Sequence, residues 1–225
     1  MTNTLHPEHD ATSTTRLDFE RVAAAVVAAA GKLPTATLHE AAGKIGALPS
    51  AIKPVGKGMR FAGPALTIHS PPGDNLWLHR ALEIARPGDV LVVYANSAYE
   101  HGYWGEIMST MARARGLAGL VIDACVRDGV LLEEIAFPVF SRGLCMRGTG
   151  KDYGAIGWLN APVLIGDITV SAGDLVVGDG DGVVVLPRAR AAELVQRAEQ
   201  REVEEAAICK RLAAGESTMQ VYGFH

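Results

Sequence analysis

The apolar positions fall into two rhythms that alternate along most of the chain. Phe19 to Ala30 is alanine-rich with interspersed valines and predicts a first helix, closed by Gly31 and Pro34. A shorter helix is expected from Thr37 to Lys44, ending at the glycines around Gly46. Phe61 to His69 reads as a strand. Pro72, Gly73 and Asp74 then make a turn, with Asp74 placed to cap a helix over Asn75 to Ala85. The pattern repeats as a strand (Val90 to Tyr94), a helix (Gly105 to Arg115, stopped by Gly116) and a strand (Ala118 to Ile122). Asp128 can cap a further short helix ahead of a strand around Val139 and Phe140. From Leu175 to Leu186 the rhythm becomes that of a hairpin, two apolar runs around GDGDG. A long helix from about Arg188 to Ala213 follows, with Leu194, Val195, Ala198 and Ile208 as its expected buried stripe. Parallel β-α-β passages followed by an antiparallel hairpin predict an α/β fold with a mixed sheet covered by helices.

Composition narrows this picture. At 225 residues, 48% of them hydrophobic, the chain can bury a core in one domain, and no repeat or linker divides it. Residues 1–16 are polar and are expected to form a disordered tail ahead of a domain spanning 17–225. A formal net charge of −4 argues against nucleic acid as a partner. No apolar run is long enough to cross a bilayer, and the N-terminus has no apolar signal segment, so a cytoplasmic protein without a membrane partner is expected. Cys125, Cys145 and Cys209 have neither metal-ligand spacing nor an even count, and read as reduced thiols.

The stretch richest in chemistry runs from Gly102 to Gly129. It sets Glu106 at the start of a helix and Arg127-Asp128 at the end of the following strand, where α/β sheets gather ligands. A guanidinium there offers a planar, bidentate grip on a carboxylate. Asp128, helped by Glu106, supplies the hard oxygen donors that Mg²⁺ prefers, and helix N-terminal amides beside Glu106 add an anion site. The competing explanation is an ordinary surface Arg-Asp pair capping a helix. Other patterns carry less. GDGDG lacks the twelve-residue calcium pattern and reads as a turn. GTGK (148–151) lacks the phosphate-loop consensus, and Lys53, Lys57 and Arg60 read as a solvated loop. Trp77, Trp104 and Trp158 are expected in the core or at an interface.

Taken in order, "TATLHEAAGKIGALP", "PPGDNLWLH", "RPGDVLVV", "GYWGE", "ARGLAGLVIDACVRD", "FPVFSRG", "GTGKD", "AGDLVVGDGDGVVVLP" and "LAAGESTMQVYGF" resemble the RraA-like family. Within it the chain is similar to the class II pyruvate aldolases acting on 4-hydroxy-4-methyl-2-oxoglutarate and 4-carboxy-4-hydroxy-2-oxoadipate. The resemblance implies a layered, swivelling-domain-like α/β sandwich. It also implies metal-dependent retro-aldol cleavage releasing pyruvate, and oxaloacetate decarboxylation as a side activity. The family's acid, twenty positions and Arg-Asp fall on Glu106, Arg127 and Asp128. The resemblance gives Arg127 the substrate carboxylate and carbonyl oxygen, Asp128 the Mg²⁺ or Mn²⁺ ion, and Glu106 the metal's water. The family's aldolases usually carry Asp at the first position, so Glu106 is a departure by one methylene. Backbone amides of Ile107 and Met108 would hold the pyruvyl group, with Asn75 and His79 near the pocket. A further acid would come from a neighbouring subunit's last helix, matching Glu205, with Glu202 and Glu204 as competitors. The resemblance implies a homotrimer or hexamer with sites between subunits, and a small 2-oxo acid as substrate. The family also includes proteins resembling ribonuclease E inhibitors, which use the fold as a binding module.

Overall fold

The computed structural model describes residues 11–224. Four strands run parallel at its centre: β2 (Phe61–His69), β3 (Val90–Tyr94), β4 (Gly119–Ile122) and β6 (Val139–Ser141). β1 (Lys53–Pro54) lies antiparallel on β6. The hairpin of β11 (Leu175–Asp179) and β12 (Gly182–Leu186) adds antiparallel to the other side of β2. With β8 (Trp158–Leu159), which also pairs β2, this makes an eight-stranded mixed sheet in the order β1-β6-β4-β3-β2-β11-β12. Two small pairs stand apart: β5 (Cys125–Val126) with β7 (Gly143–Leu144), and β9 (Val163–Ile165) with β10 (Ile168–Val170).

The strands of the parallel set are apolar on both faces because both faces are covered. Leu66, Ile68, Leu91, Val93, Leu120 and Ile122 pack toward α3 (Leu76–Ile84), α4 (Glu106–Ala114) and α5 (Gly129–Ile135). The alternate residues Ala65, Val90, Val92 and Val121 pack toward the β9-β10 hairpin, Phe61 and Phe140. A third core joins β11 and β12 to α1 (Ala24–Ala30), α2 (Thr35–Ala41) and the long α6 (Ala191–Ala213). The terminal turn α7 (Thr218–Tyr222) is closed by a Ser217–Gln220 capping box.

The mixed α/β sheet predicted from the sequence is present; the short strands β1, β5, β7, β8, β9 and β10 and the terminal turn α7 were not predicted, and the predicted elements differ at their ends. The first helix begins at Ala24, not Phe19, because Val22 donates its amide to Gly173 and Arg21 is drawn to Asp89 by two bonds of 2.7 and 2.9 Å. The second begins two residues early, at Thr35. There the Asp179 carboxylate takes the Thr35 amide at 2.8 Å and its hydroxyl at 2.7 Å, a cap supplied from 144 residues away. In α6, Leu194, Val195 and Ala198 are buried as expected, whereas Ile208 is only half-buried. The expected tail is shortened. Residues 11–14 form a 3-10 turn, and Arg16 donates its amide to the Leu159 carbonyl while its own carbonyl accepts from the Asn160 side chain, which ties the chain to the body at Arg16. Residues 1–10 lie outside the described range. GDGDG is a tight hairpin turn, with Asp179 opposite Gly182. Trp77 and Trp104 are buried, while Trp158 is 39% exposed. The three cysteines are unpaired, and no described helix is long and apolar enough to cross a membrane.

Candidate active site

The loops that leave the carboxyl ends of β2, β3 and β4 converge beside the start of α4. The segment after β3 is zipped along β5 by backbone bonds from Cys125 to Tyr99, Tyr103 to Cys125 and Arg127 to Trp104, at 2.9–3.2 Å. Trp104 anchors this segment by donating to the Ser109 hydroxyl at 2.6 Å and stacking on Phe137. Behind it, buried Asp123 holds Arg142 at 2.7 Å.

Two glycines let the segment approach so closely. A Cβ at Gly105 would lie 2.3 Å from an oxygen of Asp128 and 3.2 Å from the Arg127 stem. A Cβ at Gly102 would lie 2.4 Å from the Cys145 carbonyl and 3.0 Å from the Arg127 Cβ. Any side chain at either position would therefore push Arg127-Asp128 away from α4.

Asp128 does occupy the N-cap position of α5, but its side chain does not cap that helix. Its backbone is left-handed, with φ 62° and ψ 38°, a region that Asp tolerates better than most residues. The carboxylate turns instead to α4, where Oδ2 accepts the Glu106 amide at 3.1 Å and lies 3.7 Å from Arg127 Nε. Asp128 therefore does not cap its own helix; its carboxylate accepts the first amide of α4 instead. Once the Glu106 amide is taken, the next amides of the first turn, Ile107 and Met108, have no acceptor among the described residues. These amides, the positive end of the helix dipole and the half-exposed Arg127 guanidinium make one anion-binding corner.

That corner opens on a cavity of about 170 Å³ lined by Asn75, His79, Tyr103, Glu106, Arg127 and Lys151, among others. The volume is below the ~300–1,000 Å³ of sites for drug-sized ligands, and suits a small acid. Asn75 is buried; its amide nitrogen donates to the Tyr103 carbonyl at 2.9 Å, and its Oδ1 has no donor among the described residues. An orphaned acceptor in a polar cavity is a place for a ligand or water hydrogen. Burial lowers the pKa of His79 below its ordinary 6.5; the Lys151 charge pushes the same way and Asp74 opposes both.

A profile described as Aldolase/RraA matches residues 35–185, two thirds of the sequence and all of the site just described. The chain belongs to the RraA-like family. It is 34% identical over 175 residues to a protein of Halalkalibacterium halodurans carrying the provisional name 4-hydroxy-4-methyl-2-oxoglutarate aldolase, covering 78% of this chain and 82% of that one. An uncharacterized protein from Pseudomonas syringae superposes with a TM-score of 0.80 at 31% identity, over 92% of this chain and 97% of the other. Streptomyces coelicolor RraAS2, described as an unusual member of the RNase ES inhibitor RraA family, superposes at 0.73 with 28% identity, over 84% and 98%.

Of the residues expected at an RraA-like site, Glu106, Ile107, Met108, Arg127, Asp128, Asn75 and His79 all line this one cavity. Glu205 does not. It sits on α6, where its carboxylate pairs with Arg201 at 2.7 Å. Its competitors are engaged as well, Glu202 by the Thr37 hydroxyl at 2.5 Å and Glu204 by the Gln200 amide at 2.9 Å. The sequence reading gave Lys151 no role at the site, taking it only as part of a failed phosphate-loop match and of the family segment GTGKD. No local signal marked it: the Asp74 carboxylate reaches across to the amide of Asp152 and so fastens the lysine's loop to the start of α3, a contact made only in the fold.

The donors fit a hard divalent cation. Asp128 keeps one oxygen without a hydrogen bond among the described residues, and the exposed Glu106 carboxylate lines the same cavity. No group of three His, Cys, Asp or Glu side chains is gathered among the described residues. Two carboxylates at one cavity match the one or two protein ligands that Mg²⁺ or Mn²⁺ accepts while retaining water.

Proposed function

We propose that the protein is a divalent-cation-dependent aldolase that cleaves a 4-hydroxy-2-oxo dicarboxylic or tricarboxylic acid and releases pyruvate. The candidate substrates are 4-hydroxy-4-methyl-2-oxoglutarate and 4-carboxy-4-hydroxy-2-oxoadipate. The observation that carries this reading is the turning of Asp128 away from its own helix toward the start of α4, beside Arg127 and the free Ile107 and Met108 amides. The name carried by the Halalkalibacterium halodurans relative supports the same chemistry.

In this mechanism Asp128, with Glu106 beyond it, would hold Mg²⁺ or Mn²⁺, which supplies Lewis acidity toward the substrate's 2-oxo and carboxylate oxygens. The α4 amides and Arg127 bind that carboxylate. Glu106 accepts the proton of the C4 hydroxyl by way of a solvent molecule. The C3–C4 bond then breaks, leaving its electron pair on the pyruvate enolate and a carbonyl on the departing fragment. Arg127 lies where the enolate oxygen develops charge, so its contribution is largest in the transition state. Protonation at C3 completes pyruvate. Oxaloacetate decarboxylation passes through the same enolate and is expected as a side activity. A glutamate from α6 of a neighbouring copy, Glu205, is assigned as a further acid in a homotrimer or hexamer. The exposed Ile107, Leu144 and Met146 around the site support such a contact.

A coupled pyruvate assay over a panel of 4-hydroxy-2-oxo acids, with added Mg²⁺ and with EDTA, tests the reading. Release that appears with Mg²⁺ and stops with EDTA is the expected result; no release from any acid would overturn it. The likeness to the Streptomyces protein supports a second reading, a binding module without aldolase activity, which predicts no turnover in that assay.

A further inference from the structure

A buried ion pair that the proposed mechanism does not use lies behind the site. Asp123, at the carboxyl end of β4, is 2% exposed, and its Oδ1 accepts Arg142 Nε at 2.7 Å. The Arg142 guanidinium also lies over the Tyr99 ring, 4.2 Å from its centroid. A flat guanidinium can pair by its edge and stack by its face at once, which an ammonium cannot. Three segments meet here. Tyr99 belongs to the segment after β3, Asp123 to the end of β4, and Arg142 to the turn between β6 and β7. Beyond this point they run side by side: Arg142 donates its amide to Ala124, Cys125 to Tyr99, Cys145 to Val126 and Arg127 to Trp104, at 2.8–3.0 Å. An ion pair of the same kind sits at the opposite end of the sheet. Asp89, fully buried just before β3, accepts Arg21 at 2.7 and 2.9 Å, and that guanidinium lies 4.1 Å from the Phe19 ring centroid. Neither pair lines the cavity, but the first lies at the root of two segments that do, 102–108 and 127–128.

We infer that Asp123 and Arg142 are positioning residues which, with Tyr99, set the distance between the Gly105-Glu106 and Arg127-Asp128 segments of the site. The spacing has no slack. The Glu106 amide reaches Asp128 Oδ2 at 3.1 Å, and a Cβ on Gly105 would lie 2.3 Å from the same oxygen. A shift of either segment at its root is therefore passed on to that bond. Arg142 holds both roots. Its guanidinium meets Tyr99, whose segment leads into Gly105-Glu106, and its amide meets Ala124, whose segment leads into Arg127-Asp128. Buried Asp123 fixes the guanidinium between them, since a carboxylate removed from water requires its cation to stay in place. The consequence for turnover rests on the aldolase reading; the consequence for the spacing of the two segments does not.

The test uses substitutions that separate charge from stacking. Arg142→Lys keeps a cation for Asp123 and removes the flat face; Tyr99→Ala removes the ring, and Tyr99→Phe keeps it. Arg21→Lys makes the same change at the far pair and serves as the control. In Arg142→Lys and Tyr99→Ala, Mn²⁺ affinity by calorimetry and kcat for pyruvate release should each fall about 10–100-fold, as when a partner that orients a metal ligand is lost. KM should change little, and the double variant should lose no more than either single one, because both changes break one contact. Tyr99→Phe and Arg21→Lys should stay within about twofold of wild type in both quantities, although Arg21→Lys lowers the thermal midpoint. Amide hydrogen exchange at Glu106, Cys125 and Arg127 reads the spacing without cation or substrate, and should quicken in Arg142→Lys and Tyr99→Ala but not in Arg21→Lys. Equal losses in Arg142→Lys and Arg21→Lys would make both pairs structural and overturn the inference, as would unchanged exchange at these three amides. Quickened exchange in a protein whose wild type releases no pyruvate from any acid would support the positioning role and sink the aldolase reading alone.

Discussion

Two parts of the molecule offer carboxylates for chemistry, and their surroundings differ. On α6, Glu202, Glu204 and Glu205 follow one another closely, and each is engaged within the chain by Thr37, Gln200 or Arg201. The depression along that helix, about 730 Å³, is open and lined by alternating Glu, Arg and Gln side chains. Around α4's first turn, by contrast, Asp128 reaches across from another helix, Glu106 has no hydrogen-bonded partner for its side chain among the described residues, and Asn75 presents a buried oxygen without a donor. Charge density does not distinguish the two regions; whether their carboxylates are engaged within the chain does. A surface helix satisfies its acids with i,i+4 partners, each pair worth only about 0.3–0.5 kcal/mol. A site keeps donors and acceptors open for something the chain does not contain.

The largest break in this contrast should come at Asp128. Asp128→Ala is expected to lower Mg²⁺-dependent pyruvate release by on the order of 10³-fold or more, since it removes the carboxylate proposed to hold the metal. Alanine is strained at φ 62°, so Asp128→Asn is the cleaner variant. Asparagine tolerates that backbone and can still accept the Glu106 amide. It should keep the thermal midpoint of wild type while losing comparable activity. Turnover near the wild-type rate in the asparagine variant would refute the metal role assigned to Asp128.

A smaller but more diagnostic effect is expected at Gly105. Its φ is −160°, extended backbone open to any residue, so alanine there brings no conformational strain. It brings a methyl group 2.3 Å from the Asp128 carboxylate. Gly105→Ala should therefore cost about 10²-fold in kcat/KM, as expected for a displacement of roughly 1 Å at a catalytic group, with modest loss of stability. Steady-state kinetics alongside thermal unfolding would check this; full activity would show that the close approach of the two segments is incidental.

The same residues mark how far the sequence could be read. The sheet was legible because its buried strands are short apolar runs between Gly, Pro and Asp punctuation, as at "RPGDVLVV" and across the β11-β12 turn. Glu106, Arg127 and Asp128 were legible as a spacing. The direction of the Asp128 side chain was not, because the usual expectation for an Asp before a helix is a cap, and its bond to the Glu106 amide is made only in the fold. The early start of α2 was hidden for a like reason, its cap being Asp179 from the far hairpin. Lys151 was hidden because its position depends on Asp74 holding a loop 78 residues away in sequence. Helix ends and side-chain directions set by distant partners leave little local trace.

The smallest expected effect is also the one that bears most directly on the contrast, because it concerns an acid that its own chain has already satisfied. Glu205 pairs with Arg201 at 2.7 Å, both side chains about 40% exposed. If that pair were its whole role, Glu205→Gln would cost no more than about 0.5 kcal/mol of stability and leave turnover alone. In the proposed oligomer a neighbour's Glu205 approaches the cavity of the next copy. Its removal should then lower kcat about tenfold, or roughly 1.4 kcal/mol of transition-state stabilisation, with the thermal midpoint unchanged. An i,i+4 pair is weak enough to exchange its arginine for another partner at little cost, so the observed pairing does not prevent the approach. Mixing Glu205→Gln with Asp128→Asn subunits provides the decisive arrangement. Each variant is defective alone, and co-assembly should restore part of the activity at sites that combine an intact Asp128 with an intact neighbouring Glu205. No recovery on mixing, together with undiminished turnover in Glu205→Gln alone, would return this acid to the helix surface and leave the cavity's catalytic carboxylates as Glu106 and Asp128.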